Sequence, residues 1–168
     1  MRAQATGACS LEHCRLASRF PRNEFVRRLL AKAASLGVRF AKSPVAEQWL
    51  YHPEHRTIYL WEPDLTEQPL SYLVVILAHE LGHAVDFDHN PRHQRIASSL
   101  HWRQVPDEIE IAAFVEGFLI LKELWIPVSL DQYVEMIQPP LGQRVRERIE
   151  SEHLCCIMSG APSNRFAS

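Results

Sequence analysis

Residues 72–90 read YLVVILAHELGHAVDFDHN, so an aliphatic run leads directly into chemically reactive side chains. We expect one helix here, from Pro69 to about Asp88. Its aliphatic residues favour burial, because a buried large apolar side chain contributes about 1.5–3 kcal/mol. His79, Glu80 and His83 oppose burial, because polar groups in a core cost free energy unless they have partners. The segment therefore predicts a core helix with a specific partner for its polar residues.

These three residues have the spacing H-E-x-x-H. Positions four apart lie about 40° from each other on a helix, so His79 and His83 can bind one zinc ion. Glu80 lies about 100° round the helix, close enough to act on a water at the metal without being a ligand. Zinc lowers the pKa of that water toward about 7, and the glutamate takes its proton as it attacks a carbonyl. The other interpretation is a pair of buried histidines with ordinary core partners.

A catalytic zinc takes three protein ligands and keeps one open position, and His89 is one candidate for the third. It completes the string H-E-x-x-H-x-x-D-x-x-H, the metzincin spacing, with Asp86 where metzincins have the glycine at which the chain turns. Asp86 itself returns to within about 20° of the ligand face. It is either a hydrogen-bond acceptor for a ligand's second ring nitrogen or a simple helix-end residue.

Glu110 is the other candidate and the one we favour. On a helix from 106 to about 124, Glu110 points about 130° away from a solvent face marked by Glu116 and Glu123. A carboxylate on the buried side needs a strong partner, and a metal ion or a core-edge arginine would serve. Ala113 and Gly117 keep this face thin, so that two helices could close around an ion.

The remaining pattern predicts an α+β fold that is rich in helix. Further helices are expected over 23–37, 129–137 and 142–154, and strands over 38–40, 47–51 and 56–61, the last two forming a hairpin at Pro53. We expect a small antiparallel sheet packed on the zinc-binding helix, within one domain over residues 21–158. Residues 1–20 are expected to be poorly ordered and residues 159–168 to form a flexible tail.

Composition narrows the classes of partner. The 168 residues suit one domain, and a net charge of −2 supplies no basic field for nucleic acid. The apolar run YLVVILA is short for a membrane span, so no membrane association is expected. No secretory signal is apparent, so we expect a cytoplasmic protein with free thiols. A disulfide between the two ends is the alternative for the four cysteines, which are Cys9, Cys14, Cys155 and Cys156.

The string LAHELGH, followed 27 residues after His83 by Glu110 in EIEIAAFVEGFLI, resembles the ImmA/IrrE family of small zinc metallopeptidases. The resemblance covers about residues 38–127, with Ile111 in place of the family's usual alanine. It implies that His79, His83 and Glu110 bind Zn²⁺ and that Glu80 is the general base. It also implies a minimal gluzincin-like fold whose sheet edge binds the substrate as an added strand.

The sequence thus predicts a zinc metalloendopeptidase that acts on a protein or peptide substrate. Two alternatives stay open: a metzincin-like protease that uses His89, and a non-catalytic zinc module that regulates or binds a partner. Peptide hydrolysis also needs a group that stabilises the oxyanion. Spacing does not distinguish among four candidates for that role, which are Tyr133, His101, His93 and His153.

Overall fold

The computed structural model describes residues 8–100 and 104–158, with side chains over 12–100 and 104–152. The elements in these ranges are α1 (Ala8–Ala17), α2 (Glu24–Ser35), β1 (Arg39–Lys42), β2 (Leu50–His52), β3 (Thr57–Leu60), α3 (Asp64–Glu67), α4 (Leu70–His89), α5 (Pro91–Ser99), α6 (Asp107–Glu123), α7 (Leu130–Glu135) and α8 (Pro139–Met158). The predicted α+β class with abundant helix and a small sheet is confirmed.

Helix α4 is the centre of the core. Thirteen of its 20 residues are buried, as expected for a helix that is apolar on nearly every side. Its length and composition would suffice to cross a membrane, but 72% of its most apolar 18-residue window is buried inside the protein. The central helix of a folded core has the same character, so this apolar run does not by itself indicate a membrane.

Helices α4 and α6 approach each other until their backbones touch. A Cβ atom added to Gly82 of α4 would overlap the carbonyl oxygen of Ala113 in α6. A Cβ atom added to Gly117 of α6 would lie 2.8 Å from the carbonyl oxygen of Ala78 in α4. Two glycines, one on each helix, therefore permit the close packing that brings the N-terminal part of α6 against the middle of α4.

The sheet has three strands in the order β1-β3-β2. β2 and β3 form the predicted antiparallel hairpin, but β1 runs parallel to β3, so the expectation of a wholly antiparallel sheet is wrong. The chain leaves β1, crosses to the far edge to form β2, and returns as the central strand β3. The sheet packs on α4 as predicted: Tyr51 of β2 is buried, and its ring centroid lies 6.0 Å from that of Phe87.

Helix α1 lies within the segment 1–20, for which poor order is predicted. Residues 8–17 are helical, and Leu16 and Phe20 are 0% and 5% exposed in the core. The helix also covers the free edge of β1, where His13 Nδ1 accepts a hydrogen bond from the Phe40 backbone N–H at 3.1 Å. Covering an edge strand in this way removes a site of unwanted strand pairing. Residues 1–7 and the predicted tail over 159–168 lie outside the described residues.

Local signals set the ends of helix α2. The side chain of Asn23 accepts hydrogen bonds from the backbone N–H groups of Phe25 and Val26, and Gly37 follows the helix with a φ of +66°. A side-chain cap at the first turn and a left-handed glycine after the last turn are typical helix ends.

The cysteine prediction is tested only at one residue. Cys14 is an exposed free thiol on α1. The side chains of Cys9, Cys155 and Cys156 lie outside the described part of the chain.

Candidate metal centre

The helical repeat of α4 places His79 and His83 side by side in the core. Their ring centroids are 4.6 Å apart, and the two residues are only 6% and 8% exposed. Aromatic rings hold both imidazoles: Phe114 of α6 stacks on His79 at 3.8 Å, and the ring of Phe87 lies 5.5 Å from that of His83. The imidazoles are therefore oriented before any ligand binds.

The first turn of α6 brings Glu110 to these imidazoles. Its Oε2 lies 3.4 Å from His79 Nε2 and its Oε1 lies 3.6 Å from His83 Nε2. One ligand-type atom from each of the three residues lies within 4.8 Å of the other two. The Glu110 side chain is 30% exposed, so the cluster opens to solvent on the α6 side.

The distances fit a metal-binding set better than a hydrogen-bonded one. Zinc ligands from His and Glu lie about 2.0–2.2 Å from the ion, so two ligands at a tetrahedral angle are about 3.4 Å apart. Hydrogen bonds between N–H and O span about 2.7–3.2 Å. The separations between Glu110 and the two imidazoles, which involve different carboxylate oxygens, are therefore compatible with ligands around a common ion, and the donor set suits zinc.

Electrostatics within the cluster point the same way. Burial alone would raise the pKa of Glu110, but its interactions with His79 and His83 hold that pKa well below its usual range. Burial would lower the pKa of His83, but Glu110 outweighs it and raises that pKa. The two shifts describe one attraction, between a charged Glu110 carboxylate and the imidazoles that face it.

Glu80 lies beside the cluster and is 3% exposed. Its Oε2 has no hydrogen-bond partner among the described residues. Burial raises the pKa of Glu80, while His79, His83 and the backbone N–H of Tyr51 act to lower it. The result is a buried carboxyl group with an unpartnered oxygen and an elevated pKa, a combination typical of a group that accepts and returns a proton.

Asp86 does not serve the role that was considered for it at the histidine ligands. Its Oδ2 lies 2.8 Å from Nδ1 of His93 on α5. Nδ1 of His79 and Nδ1 of His83 are both buried and lack a hydrogen-bond partner within the described ranges. Metal-binding histidines usually donate this N–H to a carboxylate or carbonyl, so orientation here depends on the aromatic contacts instead.

The structure does not bring His89 to the cluster. Helix α4 continues through Asp86 to His89, with none of the sharp turn that the metzincin arrangement requires after its glycine. His89 is exposed, and it is not one of the residues that group with His79 and His83.

The structure gives the contacts of two of the four candidates for stabilising the oxyanion. Tyr133 is fully buried, and its hydroxyl donates a hydrogen bond to the Phe114 carbonyl oxygen at 2.8 Å, so it is a core residue. His93 pairs with Asp86. His101 and the side chain of His153 lie outside the described residues.

Sequence reasoning missed two contacts of the site. Phe114 lies four residues after Glu110 on the same face of α6, and this spacing could have identified it as a neighbour of the ligands. The contact of the Tyr51 backbone with Glu80 joins a strand to a distant helix. No local pattern in the sequence carries that information.

The chain matches no family model, and no curated protein or solved structure is significantly similar to it. The ImmA/IrrE-like assignment therefore stays a prediction that rests on the motif.

Proposed function

We propose that this protein is a zinc-dependent metallopeptidase that hydrolyses peptide bonds in a protein substrate. His79, His83 and Glu110 would hold the ion, and Glu80 would act as general base. The observation that carries the proposal is the position of Glu80 beside a three-residue cluster of metal-ligand type. Its carboxyl group is buried, and one of its oxygens has no hydrogen-bond partner in the described part of the chain.

In this proposal the protein itself transfers the proton, through the carboxyl group of Glu80. When bound, zinc polarises a carbonyl group and lowers the pKa of a coordinated water. Glu80 accepts a proton from the attacking water and returns it to the nitrogen of the departing amine as the C–N bond breaks. Burial among core side chains limits the movement of the Glu80 carboxyl group. The proton that leaves water is thus the proton that the amine gains.

The sheet edge supports a peptide as the substrate. β2 is an edge strand, and the contact of its Tyr51 with Glu80 puts that strand next to the proposed site. An extended peptide can add to such an edge through its main chain, which gives affinity with little dependence on sequence.

A catalytic role is favoured over a purely structural zinc module. Structural zinc sites are usually closed by four protein ligands, whereas three group together here in the described part of the chain. A structural site also has no use for a buried carboxyl group with a free oxygen, and placing one in the core is costly.

Substitution of Glu80 by glutamine tests the proposal. Glu80→Gln should retain zinc and lose about 10²–10⁴-fold in cleavage rate, because the amide cannot accept the proton. Cleavage of a complex peptide mixture can be measured by mass spectrometry, with zinc content measured on the same samples. Glu135→Gln makes the same chemical change at an exposed position on α7 and should behave like the wild type.

Two results would contradict the proposal. Undiminished cleavage by Glu80→Gln would remove the general-base role. A zinc-loaded wild type that cleaves nothing, with Glu80→Gln equal to it in partner binding, would favour the non-catalytic module.

A further inference from the structure

A second group of metal-ligand side chains lies at the turn between β2 and β3. The turn reads His52-Pro53-Glu54-His55, and one ligand-type atom from each of His52, Glu54 and His55 lies within 4.8 Å of the other two. We call these three residues the hairpin cluster. It uses two imidazoles and one carboxylate, the same donor types as the buried centre.

The hairpin cluster is separate from the buried centre. Side chains alternate between the faces of a strand, and Tyr51 points toward Phe87 of α4. His52, the next residue, therefore lies on the opposite face of the sheet, where its ring is 6.3 Å from that of Tyr59. An ion at the turn would share no ligand with the ion at His79 and His83.

The two imidazoles of the hairpin cluster are already together. Their ring centroids are 4.8 Å apart with an angle of 14° between the ring planes. Nδ1 of His52 is buried and has no hydrogen-bond partner within the described residues. The hairpin cluster thus combines two adjacent imidazoles and a neighbouring carboxylate, all of which are types of side chain that bind metal ions.

Contacts on both sides hold the turn in shape. Arg56 follows the cluster with a φ of 44°, and its guanidinium donates to the Leu36 carbonyl oxygen at 2.7 Å and to the Asp88 carboxylate at 2.7 and 2.9 Å. The carbonyl oxygen of His55 accepts hydrogen bonds from the side chains of Arg39 and Thr57. A turn fixed in this way loses little conformational freedom when it binds an ion.

We propose that the hairpin cluster is a second metal site, which binds a late first-row divalent ion such as Zn²⁺, Ni²⁺ or Cu²⁺. Imidazole suits these ions, and a carboxylate with water completes the coordination. Glu54 and His55 are exposed, so the ion exchanges readily with solvent and the site is weaker than the buried centre. This proposal does not depend on the proposed peptidase activity.

Zinc stoichiometry of matched variants tests the second site. Metal-free wild type, His55→Ala, His83→Ala and the double variant are titrated with Zn²⁺ against a chromophoric chelator. His55→Ala and His83→Ala should each bind one ion fewer than the wild type, and the double variant two fewer. The cysteines are common to all four proteins, so the differences between variants count only the two sites. His89→Ala removes an exposed histidine outside both clusters and should bind as many ions as the wild type.

The outcomes separate the two centres. If only His55→Ala loses an ion, the hairpin site is supported and the buried centre is contradicted. If His55→Ala binds as many ions as the wild type, the hairpin site is wrong, whatever happens to His83→Ala.

Histidine ring signals in NMR spectra provide a second test of the hairpin site, in a protein that retains all three side chains of the hairpin cluster. In His83→Ala, added Zn²⁺ should shift the ring signals of His52 and His55 and leave those of His89 in place. Unchanged signals for the two hairpin histidines would overturn the proposal. Glu54→Gln should reduce the affinity while the rings still shift at higher zinc concentration.

Discussion

Glu110 shows how much one residue of this protein depends on its neighbours. It lies in the first turn of α6, between two imidazoles that belong to α4. Those imidazoles keep the pKa of its carboxyl group low despite burial. The structure therefore puts the carboxylate where the proposed third ligand would lie, beside both imidazoles.

Substitution of Glu110 and of His89 by alanine should show which of the two residues is the third zinc ligand. Glu110→Ala removes a ligand and should lower zinc affinity by at least about tenfold, because three protein ligands become two. His89→Ala should leave zinc binding at the buried centre unchanged, because His89 is exposed at the end of α4. Zinc competition with a chelator measures both, and the opposite pattern would restore the metzincin alternative.

The sequence predicted the residues of the candidate site unequally. His79, Glu80 and His83 lie within five positions on one helix, so helical geometry alone grouped them. Glu110 required a second helix and an argument about its buried face; the structure groups it with His79 and His83 but leaves its side chain 30% exposed. Tyr51 could not be predicted, because its contact with Glu80 depends on how the sheet meets α4.

At the scale of elements, the packing of α4 on α6 determines the site. Each helix carries part of the cluster, and their backbones touch at Gly82 and Gly117. A side chain at Gly82 would separate the helices, since the obstructing atoms belong to the backbone of α6 and cannot rotate away. At Gly117 the backbone of Ala78 and the Tyr133 hydroxyl obstruct a side chain. The spacing of the proposed ligands is thus a property of the helix pair.

Gly82→Ala should therefore be strongly destabilising although alanine is the better helix former. Overpacking of a core typically costs about 1–3 kcal/mol, and obstruction by backbone puts this site at or above the upper value. For a chain of this length, about 3 kcal/mol lowers Tm by roughly 6–12 °C. Calorimetry with zinc analysis should show both a lower Tm and weaker zinc binding. Ala31→Ser adds one heavy atom at an exposed position of α2 and should change the stability by less than about 0.5 kcal/mol.

The elements themselves were predictable where local signals were strong. Helix α2 has a capping asparagine and a terminal glycine, and α4 and α6 have long apolar patterns. Strand order was less predictable, because the pairing of β1 with β3 joins strands that are not consecutive in the chain. Helix α1 was missed because its two leucines, Leu11 and Leu16, are five positions apart and mark no helical face. The burial of Leu16 becomes apparent only when β1 and α1 are placed together.

At the scale of the whole molecule, α1 completes the fold. It closes one edge of the sheet, while the hairpin cluster and the buried centre lie toward the other edge, at β2. Besides the contact of His13 with Phe40, the Glu12 carboxylate accepts a hydrogen bond from the backbone N–H of Lys42 at 3.2 Å. The sheet is thus covered on the β1 side, and no strand within residues 8–100 and 104–158 pairs with the outer edge of β2, where the proposed substrate would bind.

Removal of the Leu16 side chain tests whether α1 belongs to the folded core. Leu16→Ala should destabilise the protein by about 2–5 kcal/mol, because Leu16 is fully buried and its loss leaves a cavity. Urea unfolding followed by circular dichroism measures the change. Cys14→Ala on the exposed side of the same helix is the control and should have little effect. An unchanged midpoint for Leu16→Ala would mean that α1 contributes nothing to stability.

The contact between α4 and α6 also bears on how this protein can change over generations. Main-chain atoms, which every residue type shares, set the separation of the two helices at Gly82 and Gly117. Apolar residues elsewhere in the core can therefore be replaced, at some loss of stability, while His79 and Glu110 keep their distance. Most of the core can therefore change in sequence while the proposed site keeps its geometry, provided that Gly82 and Gly117 are retained.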